Sequence, residues 1–218
     1  MRLQEYIRKY TPIPLDLTSS LEEVSQNHVL KCVGRGKRVL DLGCSGGSFT
    51  KLIADQSNDV VGIELNENAA ASARALGLDV RVFDLVDGIP FPDSSFDVIH
   101  AGRVFECVYD TKFLLQECNR VIKSSGVLLF SVPNLNSLEN RLRVLAGGYV
   151  NATGAFPEDH SGDRIRLFNL AKIREICAHT GFRIDDIKPI QRPLLKSVAK
   201  LAPGLSEIFV VKAYRQDL

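Results

Sequence analysis

The sequence has no tryptophan, one methionine and four histidines in 218 residues. No apolar run approaches the roughly 18 residues that a membrane-spanning helix requires, which argues against a helical membrane protein. The opening stretch, Met1 to Tyr10, carries charges where a secretory signal needs an apolar core. Cysteine is sparse and scattered: Cys32, Cys44, Cys107, Cys118 and Cys177 form no Cys-x-x-Cys pair and no Cys/His cluster. An odd, widely spaced set reads as reduced thiols in a cytoplasmic protein, with neither a disulfide framework nor a metal centre. Charge of one sign is lacking too. Lys and Arg number 27 against 26 Asp and Glu, a net charge of +1. Proteins that live on phosphate backbones carry a larger basic excess, so no nucleic-acid partner is expected.

What is present is ordinary globular material, 45% hydrophobic and 24% charged, which rules out a disordered chain. Short apolar runs recur at Arg38–Leu42, Asp59–Glu64, Val80–Phe83, Phe96–Ala101 and Gly126–Val132. Runs of this length suit strands buried on both faces of a parallel sheet. Helical stretches alternate with them. Ser48–Gln56 carries Phe49, Leu52 and Ile53 on one stripe, and Asn66 caps a helix that stops at Gly77. Asp110 caps a third, striped by Phe113, Leu114, Glu117, Val121 and Ile122. Asn136 with Glu139 has capping-box spacing, and Asn169 opens a helix ending at Thr180-Gly181. This alternation predicts an α/β fold with a doubly wound, mostly parallel sheet and helices on both faces. Phe182–Lys188 and Glu207–Tyr214 read as an antiparallel pair at one edge. Residues 1–35 form a separate N-terminal cap in which Ser20-x-x-Glu23 opens a helix, and residues 36–218 form the single main domain. Residues 147–166, rich in Gly, Asp and Asn, are long for a plain connector and read as a lid-like loop.

The first strand runs into Asp41-Leu-Gly-Cys-Ser-Gly-Gly-Ser48. A dinucleotide fingerprint starting at Gly43 would need glycine at positions 45 and 48, and serine stands at both. An acid two residues before the first glycine would repel a pyrophosphate and suits a cationic ligand. Glu64 ends the second strand, where a carboxylate can accept both hydroxyls of an adenosine ribose. Asp84, preceded by Phe83, ends the third, where an acid can take the exocyclic amine of adenine. Each acid alone is commonplace. Three of them at successive strand ends, in register with a glycine-rich turn, converge on one crevice.

These segments resemble the class I S-adenosylmethionine-dependent methyltransferases of the small methyltransferase-domain type. The matching stretches are Val39–Gly47, Val61–Glu64, Phe83-Asp84, Ile89–Val98, Glu117–Lys123 and Ser125–Asn134. The resemblance implies a seven-stranded Rossmann-like sheet with an antiparallel last strand, and S-adenosyl-L-methionine over the C-terminal edges of the first four strands. Gly43, Ser45 and Gly47 would approach the methionine part, with Cys44 alongside and Asp41 near its amino group. Glu64, followed by Leu65, would hold the ribose. Asp84 and Leu85 would address adenine, and Ala101 and Gly102 would lie under the sulfonium. Three departures stand out. Ser45 replaces the commoner glycine, a tolerable change if its backbone angle is ordinary. Ser124-Ser125-Gly126 replaces a Pro-Gly-Gly turn, and Cys107 replaces a histidine after Glu106.

The resemblance implies methyl transfer by in-line displacement, and the modest size of the material outside the core favours an O or N atom of a small-molecule acceptor. A general base is needed only for a hydroxyl or protonated amine. The candidates are Glu106, after the fourth strand, and His160 in the loop. His100 reads as a packed, hydrogen-bonded side chain, and His28 and His179 as structural. Arg164-Ile-Arg166 can serve an anionic acceptor or simply a solvated face, and Pro189–Pro203, with Lys196 and Lys200 among apolar residues, reads as an ordinary surface helix in preference to a basic amphipathic surface. The alternatives are a non-catalytic subunit acting through a protein partner, or a protein or RNA methyltransferase. The sequence leaves a homodimer open.

Overall fold

The apolar runs become the centre of a seven-stranded sheet. The computed structural model describes residues 20–148, 150, 164–191 and 201–216. In chain order the elements are α1 (Ser20–Val33), β1 (Arg38–Leu42), α2 (Ser48–Ala54), β2 (Asp59–Glu64), α3 (Glu67–Ala75), β3 (Asp79–Val82), β4 (Phe96–Gly102), α4 (Thr111–Val121), β5 (Ile122–Pro133), α5 (Leu138–Leu145), α6 (Leu170–His179), β6 (Phe182–Ile190) and β7 (Ile208–Arg215). Single 3₁₀ turns occupy Leu85–Asp87 and Pro203–Leu205. The sheet order is β3-β2-β1-β4-β5-β7-β6. Strands β1 to β5 pair in parallel, and β7 lies antiparallel between β5 and β6.

Burial follows the period of the strands. In β1, Leu40 and Leu42 join Ile99, Leu128 and Phe130 in a cluster sealed by Leu114, Leu115 and Cys118 of α4 and Ile173 and Cys177 of α6. On the opposite face Val39, Val60, Val98 and Leu129 meet Val29 and Val33 of α1 and Ile53 of α2. Two buried faces explain why the central strands lack alternation, whereas edge strand β6 alternates. The antiparallel β6–β7 pair expected at the sheet edge is observed.

Asn66, Asp110 and Asn169 each cap their helix by accepting from backbone N–H groups in the first turn. Other expectations need correction. Ile122, read as the end of the α4 stripe, begins β5: its N–H closes the helix on the Cys118 carbonyl, while its ψ of 143° turns the chain extended to pair with Phe96. On α4 the inward positions are Leu114, Leu115, Cys118 and Val121, and Phe113 is partly exposed. Leu52 of α2 faces outward, its inward place taken by Thr50. The cap of α5 is Ser137, which accepts from Asn140 N at 3.3 Å. Asn136 instead donates its N–H to the Asn134 side chain, and Glu139 pairs with Arg143 one turn on.

Candidate functional site

Beyond Leu42 the chain must turn from strand into helix within five residues, and left-handed backbone makes this possible. Gly43 (φ 67°), Ser45 (φ 49°) and Gly47 (φ 80°) all adopt it. The N–H groups of Gly43 and Cys44 both donate to the Ile63 carbonyl, at 2.8 and 3.1 Å, locking the turn onto β2. Ser45 therefore does not have the ordinary backbone angle on which its tolerance rested. A side chain in this region costs about 1–2 kcal/mol. The Glu64 carboxylate opposes that cost: Oε2 accepts from Ser45 N at 2.9 Å, and Oε1 from Asn66 N at 2.8 Å. One lone pair remains on each oxygen. A Cβ added to Gly46 would meet nothing within 4 Å, so the crown of the turn faces open space.

Cys44 points the other way, into a small cluster with Ala70, Ala73, Leu78 and Val80. Burial pushes its thiol well above the usual range. Gly62 makes room for it, because a Cβ there would lie 2.6 Å from the Cys44 sulfur. Leu65 is half-buried beside Glu64. At the end of β3, Asp84 caps the 3₁₀ turn by accepting from Val86 N at 3.1 Å, with Phe83 and Leu85 half-buried around it. The three acids and the glycine turn thus lie toward the C-terminal ends of the neighbouring strands β1, β2 and β3.

Asp41 sits deeper, 3% exposed. Its Oδ2 accepts the Thr50 hydroxyl at 2.6 Å, and its Oδ1 lies 2.7 Å from His100 Nδ1. Ala101 is fully buried in the main core, and half-buried Gly102 ends β4. Arg103 follows in left-handed backbone (φ 63°), and its Nε donates to Glu106 Oε1 at 2.6 Å. Glu106 is 1% exposed, and its Oε2 is a buried oxygen without a hydrogen-bond partner. Its carbonyl takes the N–H groups of Ile165 and Arg166, at 2.8 and 2.9 Å. Arg166 donates to the Tyr109 carbonyl and stacks on the Tyr109 ring, so its guanidinium is engaged within the protein. The Cys107 thiol donates to the Arg103 carbonyl at 3.6 Å.

His160 and residues 151–163 lie outside the described residues. His28, near Asp186 and Cys32, and His179, bonded to the Glu175 carbonyl, are helix residues of structural kind. Sequence reasoning missed the partner of His100: the residues are 59 apart, and only strand register brings Asp41 beside it. A shallow depression of about 640 Å³ at the β6 edge, lined by Leu170, Arg174, Phe182 and Asp185 among others, lies apart from these groups. Among the described residues no cluster of three His, Cys, Asp or Glu can hold a metal, and no helix is long and apolar enough to cross a membrane.

This arrangement can be compared with known proteins. A family model described as a methyltransferase domain matches residues 40–130. A Mycolicibacterium smegmatis protein named "Probable S-adenosylmethionine-dependent methyltransferase" is 31% identical over 167 residues, covering 76% of this chain and 58% of that protein. The chain spans between 40% and 58% of the length of the mycobacterial relatives it matches. The ubiquinone biosynthesis O-methyltransferase of Thiobacillus denitrificans is 31% identical over 187 residues, 83% of this chain and 79% of that one. A solved S-adenosylmethionine-dependent methyltransferase from Mesorhizobium loti superposes with a TM-score of 0.67 at 18% identity, covering 89% of this chain and all of its own, which is a likeness of fold. The family's cofactor is S-adenosyl-L-methionine, and the open crown at Gly46 beside an acid-lined strand edge fits it. With the relative from Thiobacillus matched over most of both chains, the protein belongs to the class I S-adenosylmethionine-dependent methyltransferases.

Proposed function

We propose that the protein binds S-adenosyl-L-methionine across the C-terminal ends of β1 to β4 and transfers its methyl group to an O or N atom of a small-molecule acceptor. The observation that carries this reading is the Glu64 carboxylate. It braces the left-handed turn through Ser45 N, ends β2 beside it, and keeps a lone pair on each oxygen for the two ribose hydroxyls.

When bound, the cofactor supplies an electrophilic methyl on a sulfonium. The chain's task is to align and to exclude water. Glu64 would fix the ribose, Asp84 the adenine amine, and Phe83 and Leu85 the faces of the ring. Gly102, without a side chain, leaves room for the His100 ring at the end of β4. Alignment of nucleophile, carbon and sulfur is worth on the order of 7–11 kcal/mol in favourable cases. Glu106 would take a proton from an acceptor hydroxyl or amine, adding roughly 10²–10⁴-fold. Arg103 holds one of its oxygens and leaves the other unbonded. The O-methyltransferase name of the Thiobacillus relative supports a small acceptor, as does the even charge balance. Five cysteines, none of them in a disulfide, support a cytoplasmic setting.

The test is calorimetric titration of S-adenosylmethionine and S-adenosylhomocysteine, with NAD as control, followed by transfer of labelled methyl to candidate acceptors. Micromolar binding of the first two alone is expected. Binding of NAD, or of none of the three, overturns the reading.

A further inference from the structure

Resting on that reading of the crevice, we infer that His100, oriented by Asp41, receives the amino-acid end of the cofactor, with His100 Nε2 accepting a hydrogen bond from its α-ammonium. Asp41 and His100 are register partners on the parallel pair β1–β4, so their side chains rise on the same face of the sheet. Both are buried, and both Asp41 oxygens are occupied, by the Thr50 hydroxyl at 2.6 Å and by His100 Nδ1 at 2.7 Å. Unlike half-buried Glu64, Asp41 is covered, so the lone pairs its oxygens keep are closed to a ligand. Its charge reaches the crevice through the imidazole. Asp41 as acceptor sets the tautomer with the proton on Nδ1, which leaves the lone pair on Nε2.

The direction of that lone pair follows from Gly102. A Cβ at Gly102 would lie 3.0 Å from His100 Cε1 and 3.2 Å from Nε2, so the ring leans along β4 toward its C-terminal end. The Phe49 ring, 5.0 Å away, packs against the imidazole. Nε2 has no hydrogen-bond partner among the described residues. Gly102 pairs with Ser131 of β5, a buried residue whose side chain rises beside it. An imidazole nitrogen and a hydroxyl therefore flank a side-chain-free position at the end of the sheet. Asp41 is the titratable group in contact with the ring among the described residues. With the Asp41 carboxylate behind it, the imidazole suits an ammonium donor.

The experiment measures dissociation constants of S-adenosylhomocysteine and of 5′-methylthioadenosine, the same nucleoside thioether without the amino-acid end. Wild type, His100→Ala and His100→Gln are compared. His100→Ala should weaken S-adenosylhomocysteine about tenfold or more, as expected for a hydrogen bond to a charged group, and leave methylthioadenosine within about twofold. His100→Gln, with a polar atom near the Nε2 position, should recover part of the loss. Because His100→Ala leaves a buried carboxylate short of a partner, wild-type protein labelled with ¹⁵N-histidine is titrated as well. The His100 Nε2 resonance should move with S-adenosylhomocysteine and stay with methylthioadenosine. Equal weakening of both ligands, or an unmoved resonance, overturns the assignment while the cofactor reading stands. If wild type binds neither ligand, both fall together.

Discussion

Ser45 donates its backbone N–H to the Glu64 carboxylate at 2.9 Å, so the turn after β1 and the acid that ends β2 act as one unit. The turn is left-handed at a non-glycine residue, and the carboxylate holds it there. Replacing Ser45 tests the strain directly. Ser45→Val, β-branched at φ 49°, should destabilise the protein by about 1–2 kcal/mol. Ser45→Gly should be neutral or stabilising. Urea unfolding curves check both, and a Val variant as stable as wild type would remove the strain argument.

The three strand-end acids should separate by what each holds up. Asp41→Ala strands the Thr50 hydroxyl and the His100 N–H in the core, a loss on the order of 2–6 kcal/mol at about 1–3 per unsatisfied group. Glu64→Ala frees two half-buried backbone N–H groups and should cost less stability but more cofactor affinity, about 1.5–3 kcal/mol. Asp84→Ala removes one capping bond, about 0.5–2 kcal/mol of stability. Thermal melts beside cofactor titrations would expose a different ranking.

Acid should attack the protein partly through Glu117. Its hydrogen bonds from Arg120, with one from Ile89 N, hold its carboxyl below the usual carboxylate range. A carboxylate with a lowered folded value stabilises above its unfolded value, roughly 4.3, and that stability is lost as pH falls through the folded value. Glu117→Gln should therefore flatten the stability curve below about pH 4.5, measured by urea midpoints from pH 3 to 7. An unchanged acid limb would show that other groups carry the loss. The bridge has a structural role too, since Arg120 also donates to the Ile89 and Phe91 carbonyls.

Gly62→Ala should cost about 1–3 kcal/mol through overpacking against the Cys44 sulfur. Pairing it with Cys44→Ala should restore most of the loss, and additive effects in the double variant would show that the two do not touch.

Much of this was legible in the sequence because its signals were local. The caps at Asn66, Asp110 and Asn169 work through backbone groups two or three residues away. The strand runs were visible because a sheet covered on both faces needs unbroken apolar segments. What escaped was register and long-range pairing. Ile122 continues the apolar stripe of α4, and only its pairing with Phe96 decides that it is strand. Asn134 gives no local sign that its side-chain amide donates to the Gly204 and Ser206 carbonyls, about 70 residues on. The Asp41–His100 contact depends on two strands distant in sequence becoming neighbours.

The antiparallel β7 between β5 and β6 has a consequence for how the chain emerges during synthesis. Every strand that bears a cofactor candidate, from Arg38 to Gly102, precedes it. The crevice half of the sheet can therefore assemble before β7 has been synthesised, but the edge of β5 from Val127 to Pro133 stays unpaired until Ile208–Arg215 arrives. An apolar edge waiting for a late partner is open to pairing with another nascent chain. The sooner Ile208–Arg215 pairs with β5, the shorter the time for which that edge is open.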